Sequence, residues 1–353
     1  MRPNIALNAL ALGPGGSGVQ TYIRELLHQL PSAADAQFVA AVQANAAGDL
    51  RPEVKAILRT PSRGVRRALA GFRSLGPADL VHGLDVDLPL FPRAPTVATV
   101  HDLSVFDVPW AFSRWRARNE RLLVRQALRR ADLLITMSDF TAARVHARFG
   151  REAAVIPLAP APDMRPAAAG KVAAARDLYG LPKRFVLQVG TIEPRKDVAG
   201  LASACRSAGV PLVLAGGTAW GGAVPPGALS LGYVPRDVLP ALYGAATVVA
   251  YCSKYEGFGL PPLDAMACGA AVVASRVASL PEVLGDAACL VEPGDGDVLA
   301  GTLRRLFADD EERVALGLAA SKRAAGFSWL ATALGTVAVY RKILPGLSSR
   351  QLA

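Results

Sequence analysis

The sequence predicts an α/β protein made of two doubly wound domains, each a parallel sheet covered by helices. The chain has 353 residues, which is more than one core usually serves, because single hydrophobic cores stop growing near about 250 to 300 residues. Apolar runs of strand length alternate with helical periodicity along it. A proline- and alanine-rich stretch without periodicity, residues 159–171, divides this alternation. We therefore place the domains at 1–160 and 170–328.

The predicted strands follow one another as short apolar runs in both halves. The first half contains NIALNAL, QFVAAVQ, DLVHGL, TVATVHD, DLLITMS and AAVIPLA. The second half contains RFVLQVG, PLVLAGG, TVVAYCS, AAVVASR and ACLVEPG. Because parallel neighbours need a crossover connection, usually a helix, the segments between these runs are predicted to be helical.

Several of these helices are visible as apolar residues at steps of three and four. The segment VQTYIRELLHQL follows a glycine turn, and the second half has helical segments at Asp237–Ala245 and Asp297–Asp309. Near the C-terminus, the same spacing predicts one long amphipathic helix over 329–344, which Pro345 should end. We expect this last helix to pack back on the first domain.

The charge of the chain indicates an attraction for anions without choosing among them. The formal net charge is +10, and nucleotides, phosphorylated lipid head groups and nucleic acid would all respond to it. One arginine cluster spans 114–130 and the other comprises Arg59, Arg63, Arg66, Arg67 and Arg73. These clusters are either a solvated helix surface or a contact with an anionic membrane or an acidic acceptor. We predict no nucleic-acid partner.

Nothing in the sequence indicates export or membrane insertion. No run of about 18 apolar residues could span a bilayer, and the N-terminus lacks the charged, apolar and cleavage regions of a signal peptide. No C-x-x-C pair occurs, and we interpret the cysteines as reduced core thiols: Cys205, Cys252, Cys268 and Cys289. We expect the chain in the cytoplasm, with peripheral contact at the inner face of the membrane left open by the arginines.

The first candidate motif is the glycine loop between the first strand and the first helix. Its letters fit G-x-G-x-x-G through Gly13, Gly15 and Gly18, which makes an NAD(P)-binding oxidoreductase one alternative. A dinucleotide fold also needs an acid about 20 residues later to hold the ribose, and QFVAAVQ ends on Gln43 instead. The loop is otherwise a helix start whose amides hold a phosphate or sugar oxygen, or only a tight turn.

The second motif is GTIEPRKD, where Gly190 closes the strand RFVLQVG and two cations follow in the turn. Arg195 and Lys196 are then expected at the carboxyl end of a parallel strand, where doubly wound sheets bind ligands. An arginine fork and a lysine charge can stabilise a departing diphosphate without a metal. The alternative is that they are ordinary surface cations.

The third motif is YEGFGLPPLDAMACG, which lies between two predicted strands. Glu256 is expected on the loop and Asp264 about one turn into the following helix, with Pro261 and Pro262 suited to its first turn. A carboxylate accepts hydrogen bonds in pairs, so one acid suits sugar hydroxyls and the other a ribose diol. Either acid alone would be a helix cap or a solvated carboxylate.

Together these strings resemble the retaining glycosyltransferases of family 4, which have the GT-B fold of two Rossmann-like domains facing a central cleft. The likeness covers nearly the whole chain. It rests on GTIEPRK, EGFGLPPLDAMACG, the glycine loop, VHDLS, ITMSDF and SLPEVLGDAACLVEPGD.

The resemblance implies a role for individual residues. Arg195 and Lys196 would hold the donor diphosphate, Glu256 would hold the transferred sugar, and His101 would sit beside that sugar near the reaction centre; these four form the predicted catalytic set. Gly16 and Gly18 would approach the phosphate or the acceptor, Val234 would meet the base through its backbone, and position 264 would hold the ribose. The predicted donor-binding residues are Gly16, Gly18, Gly190, Val234, Phe258, Gly259, Leu260 and Asp264.

One position departs from the family pattern. The second acid is usually Glu in the family and is Asp264 here, one methylene shorter. The shorter side chain predicts a longer or water-mediated hydrogen bond to the ribose. We expect no inactivation, because the charge and the chelating geometry are kept. A non-catalytic homologue that binds a nucleotide sugar without transferring it is a second alternative. Loss of Glu256, Arg195 or Lys196 would favour that alternative, and all three are present.

Two further patterns are set aside as metal sites. Asp85, Val86 and Asp87 spell D-x-D, which binds a divalent cation and donor phosphates in another glycosyltransferase fold. The triplet lies in the first half, away from the predicted donor half, so we expect no metal there. His28, His82 and His146 have no ligand spacing and are interpreted as structural. For His82, a position lining the acceptor side is the alternative.

The predicted function is hexose transfer from a nucleotide diphosphate sugar with retention of anomeric configuration. The resemblance implies a front-side path, in which the leaving diphosphate helps to take the acceptor proton. GDP-mannose is the expected donor, with a UDP- or dTDP-hexose as rival. The expected acceptor is a glycan, a lipid-linked glycan or a small molecule. No cofactor and no metal are expected.

Overall fold

The computed structural model describes residues 2–13, 16–62, 64–219 and 221–349, so Gly15 and Arg63 lie outside the described residues. The chain divides into two compact units. The first unit contains residues 1–103, 115–158 and 328–353, and the second contains residues 104–114 and 159–327.

Both units contain a sheet whose paired strands all run parallel. The strands of the first unit are β1 (Asn4–Asn8), β2 (Gln37–Gln43), β3 (Val54–Arg59), β4 (Leu80–Gly83), β5 (Thr96–Val100), β6 (Leu133–Thr136) and β7 (Ala154–Val155). Those of the second unit are β8 (Val186–Val189), β9 (Leu212–Ala215), β10 (Leu229–Ser230), β11 (Val248–Tyr251), β12 (Val272–Ser275) and β13 (Cys289–Val291).

The helices connect and cover these strands. In chain order they are α1 (Gly18–Ala33), α2 (Gly64–Gly71), α3 (Ser104–Asp107), α4 (Arg114–Arg130), α5 (Asp139–Phe149), α6 (Ala169–Tyr179), α7 (Val198–Ala208), α8 (Leu239–Ala245), α9 (Leu260–Ala267), α10 (Leu280–Leu284), α11 (Gly296–Ala308), α12 (Asp310–Ala324) and α13 (Trp329–Arg341). No helix in the described part of the chain is both long enough and apolar enough to cross a membrane.

Each sheet is doubly wound, as predicted. The strand orders are β3-β2-β1-β4-β5-β6-β7 and β10-β9-β8-β11-β12-β13. The order reverses between β1 and β4 in the first unit and between β8 and β11 in the second. A crevice at the carboxyl ends of the strands opens at such a reversal, and doubly wound proteins bind ligands there.

The predicted strands are all present, and the two that the sequence did not predict lie at sheet edges. In Val54–Arg59, Lys55 and Arg59 leave a run of only three apolar residues between them, and Leu229–Ser230 has only two residues, both exposed. Neither segment has the continuous apolar run that indicates a strand buried on both faces. The stretch interpreted as a linker is also shorter than expected, since α6 begins at Ala169.

The C-terminal helix α13 lies in the first unit, where it packs against α1. Ser328 caps it by accepting a hydrogen bond from the Ala331 amide, 3.1 Å long. Its buried side chains include Trp329, Ala333 and Val337, at the spacing that predicted the helix. The helix ends at Arg341, earlier than the expected 344.

The segment Ser104–Arg114 groups with the second unit although it lies in the first half of the sequence. The Tyr255 hydroxyl donates to the Asp107 carboxylate over 3.2 Å. The Lys254 ammonium lies 5.7 Å from the centre of the Trp110 ring. These contacts were invisible in the sequence, because the partners are far apart along the chain. All four cysteines are free thiols, but only Cys205 and Cys268 are buried core residues as predicted, and Cys252 and Cys289 are half-buried.

Two helix glycines of the second unit should respond oppositely to alanine. A Cβ on Gly317 in α12 would lie 2.5 Å from the Gly269 carbonyl oxygen, just after α9, whereas a Cβ on Gly301 in α11 would meet nothing within 4 Å. We expect Gly317→Ala to lower the free energy of unfolding by about 1–3 kcal/mol through overpacking. Gly301→Ala should raise it by about 0.5–1 kcal/mol through helix propensity. Urea denaturation of both variants measures this, and equal effects would contradict the close approach of α12 to α9.

Candidate functional site

The loops after two neighbouring strands of the second sheet, β8 and β11, contain Gly190, Arg195, Lys196 and Glu256. Gly190 follows β8 with a φ of 127°, a backbone conformation that favours glycine. The chain after β9 approaches this turn so closely that a Cβ on Gly216 would lie 2.0 Å from the Gly190 carbonyl oxygen. The two glycines therefore allow the turn that leads into Arg195 and Lys196.

Arg195, Lys196 and Glu256 meet in one buried cluster, which we call the charge cluster together with Glu193. The Lys196 ammonium lies 2.5 Å from Glu256 Oε1, and Arg195 Nη1 lies 3.2 Å from Glu256 Oε2. Arg195 Nη2 also pairs with Glu193 Oε1 at 2.7 Å. The Ser253 hydroxyl donates to Glu256 Oε1 over 2.7 Å. Both oxygens of the Glu256 carboxylate therefore have charged partners.

The electrostatics of the charge cluster keep Glu256 ionised. Burial alone raises the pKa of this carboxyl, but the charges of Lys196 and Arg195 and the hydrogen bonds from Lys196 and Ser253 outweigh burial and lower it to about 2. A carboxyl with such a pKa holds no proton at neutral pH. Glu256 can accept hydrogen bonds and balance positive charge, but it is unsuited to act as a general acid.

The loop after Glu256 is held in place from α10. The Ser279 hydroxyl donates to the Glu256 carbonyl oxygen over 2.9 Å. Gly259 has a φ of 92° and caps α9, and a Cβ there would lie 2.5 Å from Leu280 Cδ2. Because Pro261 and Pro262 have no N–H, the donors at this helix start are the amides of the residues before them. The sequence therefore builds a short row of backbone donors at 258–260, beside the charge cluster.

Asp264 lies one turn into α9 and is half-buried. Its Oδ1 accepts a hydrogen bond from the Ala161 amide over 2.9 Å. Burial raises the pKa of this carboxyl to about 7, against the lowering effects of that hydrogen bond and of Arg236. Arg236 itself forms a two-pronged ion pair with Asp163. Val234, two residues before it, is buried.

In the first unit, His101 follows β5 and has a defined tautomer. Its Nε2 lies 3.0 Å from the Leu84 carbonyl oxygen. A carbonyl oxygen can only accept, so Nε2 carries the hydrogen and donates it. The Tyr22 ring meets the His101 ring edge-on, with centroids 5.1 Å apart and an angle of 79°. Nδ1 is thus the nitrogen that remains for chemistry.

The glycine loop precedes α1, which begins at Gly18. Ser17 and Gln20 form a capping box, each side chain accepting from the other's amide over 3.3 Å. Gln43, at the position where a dinucleotide fold needs an acid, is buried and donates to the Leu10 carbonyl oxygen over 2.8 Å. Its own Oε1 accepts from the Ser62 amide over 2.7 Å. Gln43 supports the loop and does not favour the NAD(P) alternative.

The D-x-D triplet of the first unit is engaged with an arginine. Arg67 Nη2 lies 3.4 Å from Asp85 Oδ2 and 3.5 Å from Asp87 Oδ2. Among the residues that the structure describes, no group of three or more His, Cys, Asp or Glu side chains is placed to hold a metal ion.

The structure thus joins some predicted residues by contact and places others on separate units. Arg195, Lys196 and Glu256 touch one another. The remaining second-unit residues, at positions 190, 234, 258–260 and 264, follow strands or open the helix at the carboxyl end of the same sheet. His101, Gly16 and Gly18 belong to the first unit.

Sequence reasoning missed four residues that support the site. Glu193 and Ser253 complete the charge cluster, Ser279 holds the Glu256 backbone, and Tyr22 contacts His101. Glu193 stands inside GTIEPRKD and Ser253 three positions before Glu256, so proximity in sequence could have indicated these two. Ser279 and Tyr22 come from distant segments and had no such signal.

Comparison with known proteins gives matches over both units. The model described as Glycosyltransferase Family 4 matches residues 16–159, and the one described as Glycosyl transferases group 1 matches residues 179–323. The chain is 35% identical over 286 residues to O-antigen chain mannosyltransferase B of Escherichia coli, covering 74% of each chain. It is 30% identical over 200 residues to serotype-specific mannosyltransferase WbdA of Escherichia coli, covering 50% of this chain and 24% of that one.

Among solved structures, sucrose-phosphate synthase from Thermosynechococcus elongatus superimposes with a TM-score of 0.78. That match covers 98% of this chain and 100% of the other at 23% identity. With the two doubly wound sheets, it confirms the predicted GT-B fold class of two Rossmann-like domains.

The raised pKa of Asp264 should make the free energy of unfolding depend on pH. Because burial raises the folded-state pKa to about 7, above the ordinary value, Asp264 favours the folded state below the unfolded pKa, and this contribution is lost as the pH rises through 7. Asp264→Asn keeps an acceptor for the Ala161 amide and removes the titration. We expect it to gain stability over the wild type progressively from pH 4 to pH 8.

Urea denaturation at a series of pH values measures the gain. Asp286→Asn removes an exposed carboxyl from the same unit and controls for the change in net charge. A difference between Asp264→Asn and wild type that stays constant across this pH range would show that Asp264 is not the titrating group.

Proposed function

Because the chain belongs to glycosyltransferase family 4, we propose that it transfers mannose from GDP-mannose to a glycan, glycolipid or small-molecule acceptor. The enzyme is a glycosyltransferase, and its relatives named above are mannosyltransferases. The observation that carries the proposal is the buried contact of Lys196 and Arg195 with Glu256 at the carboxyl ends of β8 and β11. Calorimetric titration with GDP-mannose, UDP-glucose and a dTDP-hexose tests it, and binding of a UDP or dTDP sugar alone would overturn the donor assignment.

The charge cluster supports departure of a diphosphate. As the bond between the anomeric carbon and the diphosphate oxygen breaks, negative charge builds on that oxygen. Arg195 and Lys196 would stabilise this charge from a buried, preorganised position, where such interactions are strongest. Because these cations supply the positive charge, no divalent cation is needed, and we propose that the enzyme works without one. Transfer should then survive EDTA.

The acceptor hydroxyl would attack from the side that the diphosphate leaves. A new bond forms between the acceptor oxygen and the anomeric carbon, and the hydroxyl proton passes to the departing phosphate oxygen, so the configuration is retained. Glu256 is a poor candidate for a covalent nucleophile, because Lys196, Arg195 and Ser253 already occupy its carboxylate. Its proposed role is to accept a hydrogen bond from a sugar hydroxyl.

Other residues would orient the donor. The amides of Phe258, Gly259 and Leu260 would donate to sugar oxygens, and His101 would act through Nδ1, the nitrogen that its bond to Leu84 leaves available. Asp264 would hold the ribose through Oδ2, because Oδ1 accepts from the Ala161 amide. The backbone at Val234 would meet the base.

The glycine loop is proposed to approach the phosphate or the acceptor. A Cβ on Gly16 would meet nothing within 4 Å, and its φ lies outside the left-handed region. The fold therefore does not demand glycine at this position, which supports close approach of a ligand as its reason. Gly18 would serve the same contact from the first residue of α1.

Substitutions in the charge cluster should separate sugar transfer from diphosphate binding. Glu256→Gln removes the carboxylate that neutralises Arg195 and Lys196, so we expect tighter binding of GDP together with a loss of mannose transfer of about 10²–10³-fold. Replacing Arg195 and Lys196 with Gln should weaken GDP binding instead. Calorimetry with GDP and a transfer assay in EDTA measure both effects. A Glu256→Gln variant with normal turnover, or a double variant with normal GDP affinity, would refute the assignment.

We also propose that α4 contacts an anionic membrane surface. Arg118, Leu122, Arg125 and Arg129 are exposed at steps of three and four, so they share one face of the helix. Trp115 near its start is 75% exposed. A basic face with apolar and aromatic side chains is typical of helices that lie on anionic bilayers.

Sedimentation with anionic vesicles at low salt tests this contact. Changing Arg118, Arg125 and Arg129 to Gln should weaken the affinity for the vesicles on the order of 100-fold, since each basic residue near the surface contributes about 1 kcal/mol and about 1.4 kcal/mol is a factor of ten. The matched control changes Lys183, Arg206 and Lys322 to Gln, three exposed cations of the second unit. Equal binding by both triple variants would show that α4 does not form the contact.

A further inference from the structure

A line of buried polar side chains joins the C-terminal helix to the neighbourhood of His101 within the first unit. The Tyr340 hydroxyl lies 2.7 Å from His82 Nδ1, and His82 Nε2 lies 2.9 Å from Thr99 Oγ1. Thr99 Oγ1 lies 2.9 Å from the Tyr22 hydroxyl. All four side chains belong to residues at most 1% exposed. We call this line the tyrosine–histidine chain.

Four different elements contribute to the tyrosine–histidine chain. Tyr22 comes from α1, His82 from β4, Thr99 from β5 and Tyr340 from α13. Burying polar groups is unfavourable unless they are paired, and Phe or Val would fill the same space without that cost. A fully paired network fixes the relative geometry of its members more tightly than apolar packing does. The tyrosine–histidine chain therefore specifies how α13 docks on the strands.

The two bonds of His82 depend on each other. Burial lowers the pKa of His82 to about 3, with a smaller effect of His101 in the same direction, so the ring is neutral and carries a single N–H. One ring nitrogen must then donate and the other accept. Among the residues that the structure describes, the Tyr340 hydroxyl has His82 as its one hydrogen-bond partner. Only donation to Nδ1 pairs the buried hydrogen of this hydroxyl, so we assign Tyr340 as the donor. Nε2–H then donates to Thr99. Without the Tyr340 hydroxyl, no donor to Nδ1 would hold the single ring hydrogen on Nε2.

The tyrosine–histidine chain ends at Tyr22, whose ring contacts His101. Two contacts orient the His101 ring: the bond from Nε2 to the Leu84 carbonyl oxygen and the edge-on Tyr22 ring. The first fixes the tautomer, and the second restricts rotation of the ring about that bond. The Tyr22 ring is itself held by its hydroxyl at Thr99.

We propose that Tyr340, His82, Thr99 and Tyr22 are positioning residues that hold the His101 ring in its working orientation, so that α13 controls the geometry of the reaction centre. The proposal rests on the function proposed above for His101. None of the four residues is required to touch the substrate.

Helix α13 offers a matched pair of variants. Tyr340→Phe removes only the hydroxyl at the start of the tyrosine–histidine chain. Thr336→Val removes a buried hydroxyl one turn earlier in α13, whose partner is the Thr332 carbonyl oxygen, 2.8 Å away. Both changes lose one buried hydrogen bond, and only the first lies on the path to His101. Thermal denaturation checks that both variants fold.

The coupling is measured directly on the histidine rings. The chain contains four histidines, so imidazole ¹⁵N and ¹³C signals can be assigned by replacing each in turn. We expect Tyr340→Phe to shift the ring signals of His82 and also of His101, and Thr336→Val to leave those of His101 unchanged. Unchanged His101 signals in Tyr340→Phe would overturn the proposal whatever the donor is.

Kinetics with GDP-mannose supply the second readout. Tyr340→Phe should lower kcat roughly tenfold, the scale expected when a group near the reaction is slightly misplaced, with little change in KM for GDP-mannose. Tyr22→Phe, which keeps the ring and loses the bond to Thr99, should behave alike. The double variant should lose no more than either single variant, because both break one chain.

The variant His101→Ala distinguishes the proposed role of His101 from the proposed role of the tyrosine–histidine chain. If it leaves kcat unchanged, the proposed role of His101 is wrong. If it abolishes turnover while Tyr340→Phe and Thr336→Val both match the wild type, the role of His101 stands and the positioning chain is refuted.

Discussion

A buried carboxylate has to be paired, and the second unit is arranged around that requirement at Glu256. Its two oxygens meet Lys196, Arg195 and Ser253, and the pairing holds two loops together that leave the sheet at neighbouring strands. The loop after β8 brings the cations, and the loop after β11 brings the acid. Gly190 and Gly259 give these loops backbone conformations that other residues adopt at a cost, so the glycines and the charges depend on one another.

The same pairing prepares the cluster for a negatively charged ligand. Without a donor, two acids balance two cations, which makes their burial tolerable. A diphosphate would bring new negative charge to Arg195 and Lys196 and would loosen their hold on Glu256. The carboxylate could then turn toward sugar hydroxyls. One set of contacts would therefore stabilise the empty enzyme and be redistributed when the donor binds.

The two units share a topology and differ in what occupies the reversal of strand order. In the second unit the charge cluster lies there. In the first unit Gln43 anchors the glycine loop with its amide, where a nucleotide-binding fold of another class would have an acid. His101 extends from β5 nearby, and its support comes from Tyr22 and, through buried hydroxyls, from the last helix of the chain. The packing of α13 in the first unit is thus connected, through these contacts, to the position of that histidine.

The sequence by itself determined the two parallel sheets, since buried parallel strands read as continuous apolar runs. It also determined the charged motifs, since the residues of GTIEPRKD and of EGFGLPPLD are contiguous. It could not indicate β3, where Lys55 and Arg59 leave a run of only three apolar residues. It also could not show that Asp264 would meet the Ala161 amide, or that Tyr340 would reach His82, 258 positions away. Those contacts join distant segments, and only packing of the helices on the sheets brings such segments together. Local pattern therefore specified the elements and their chemistry, and tertiary structure decided the partners.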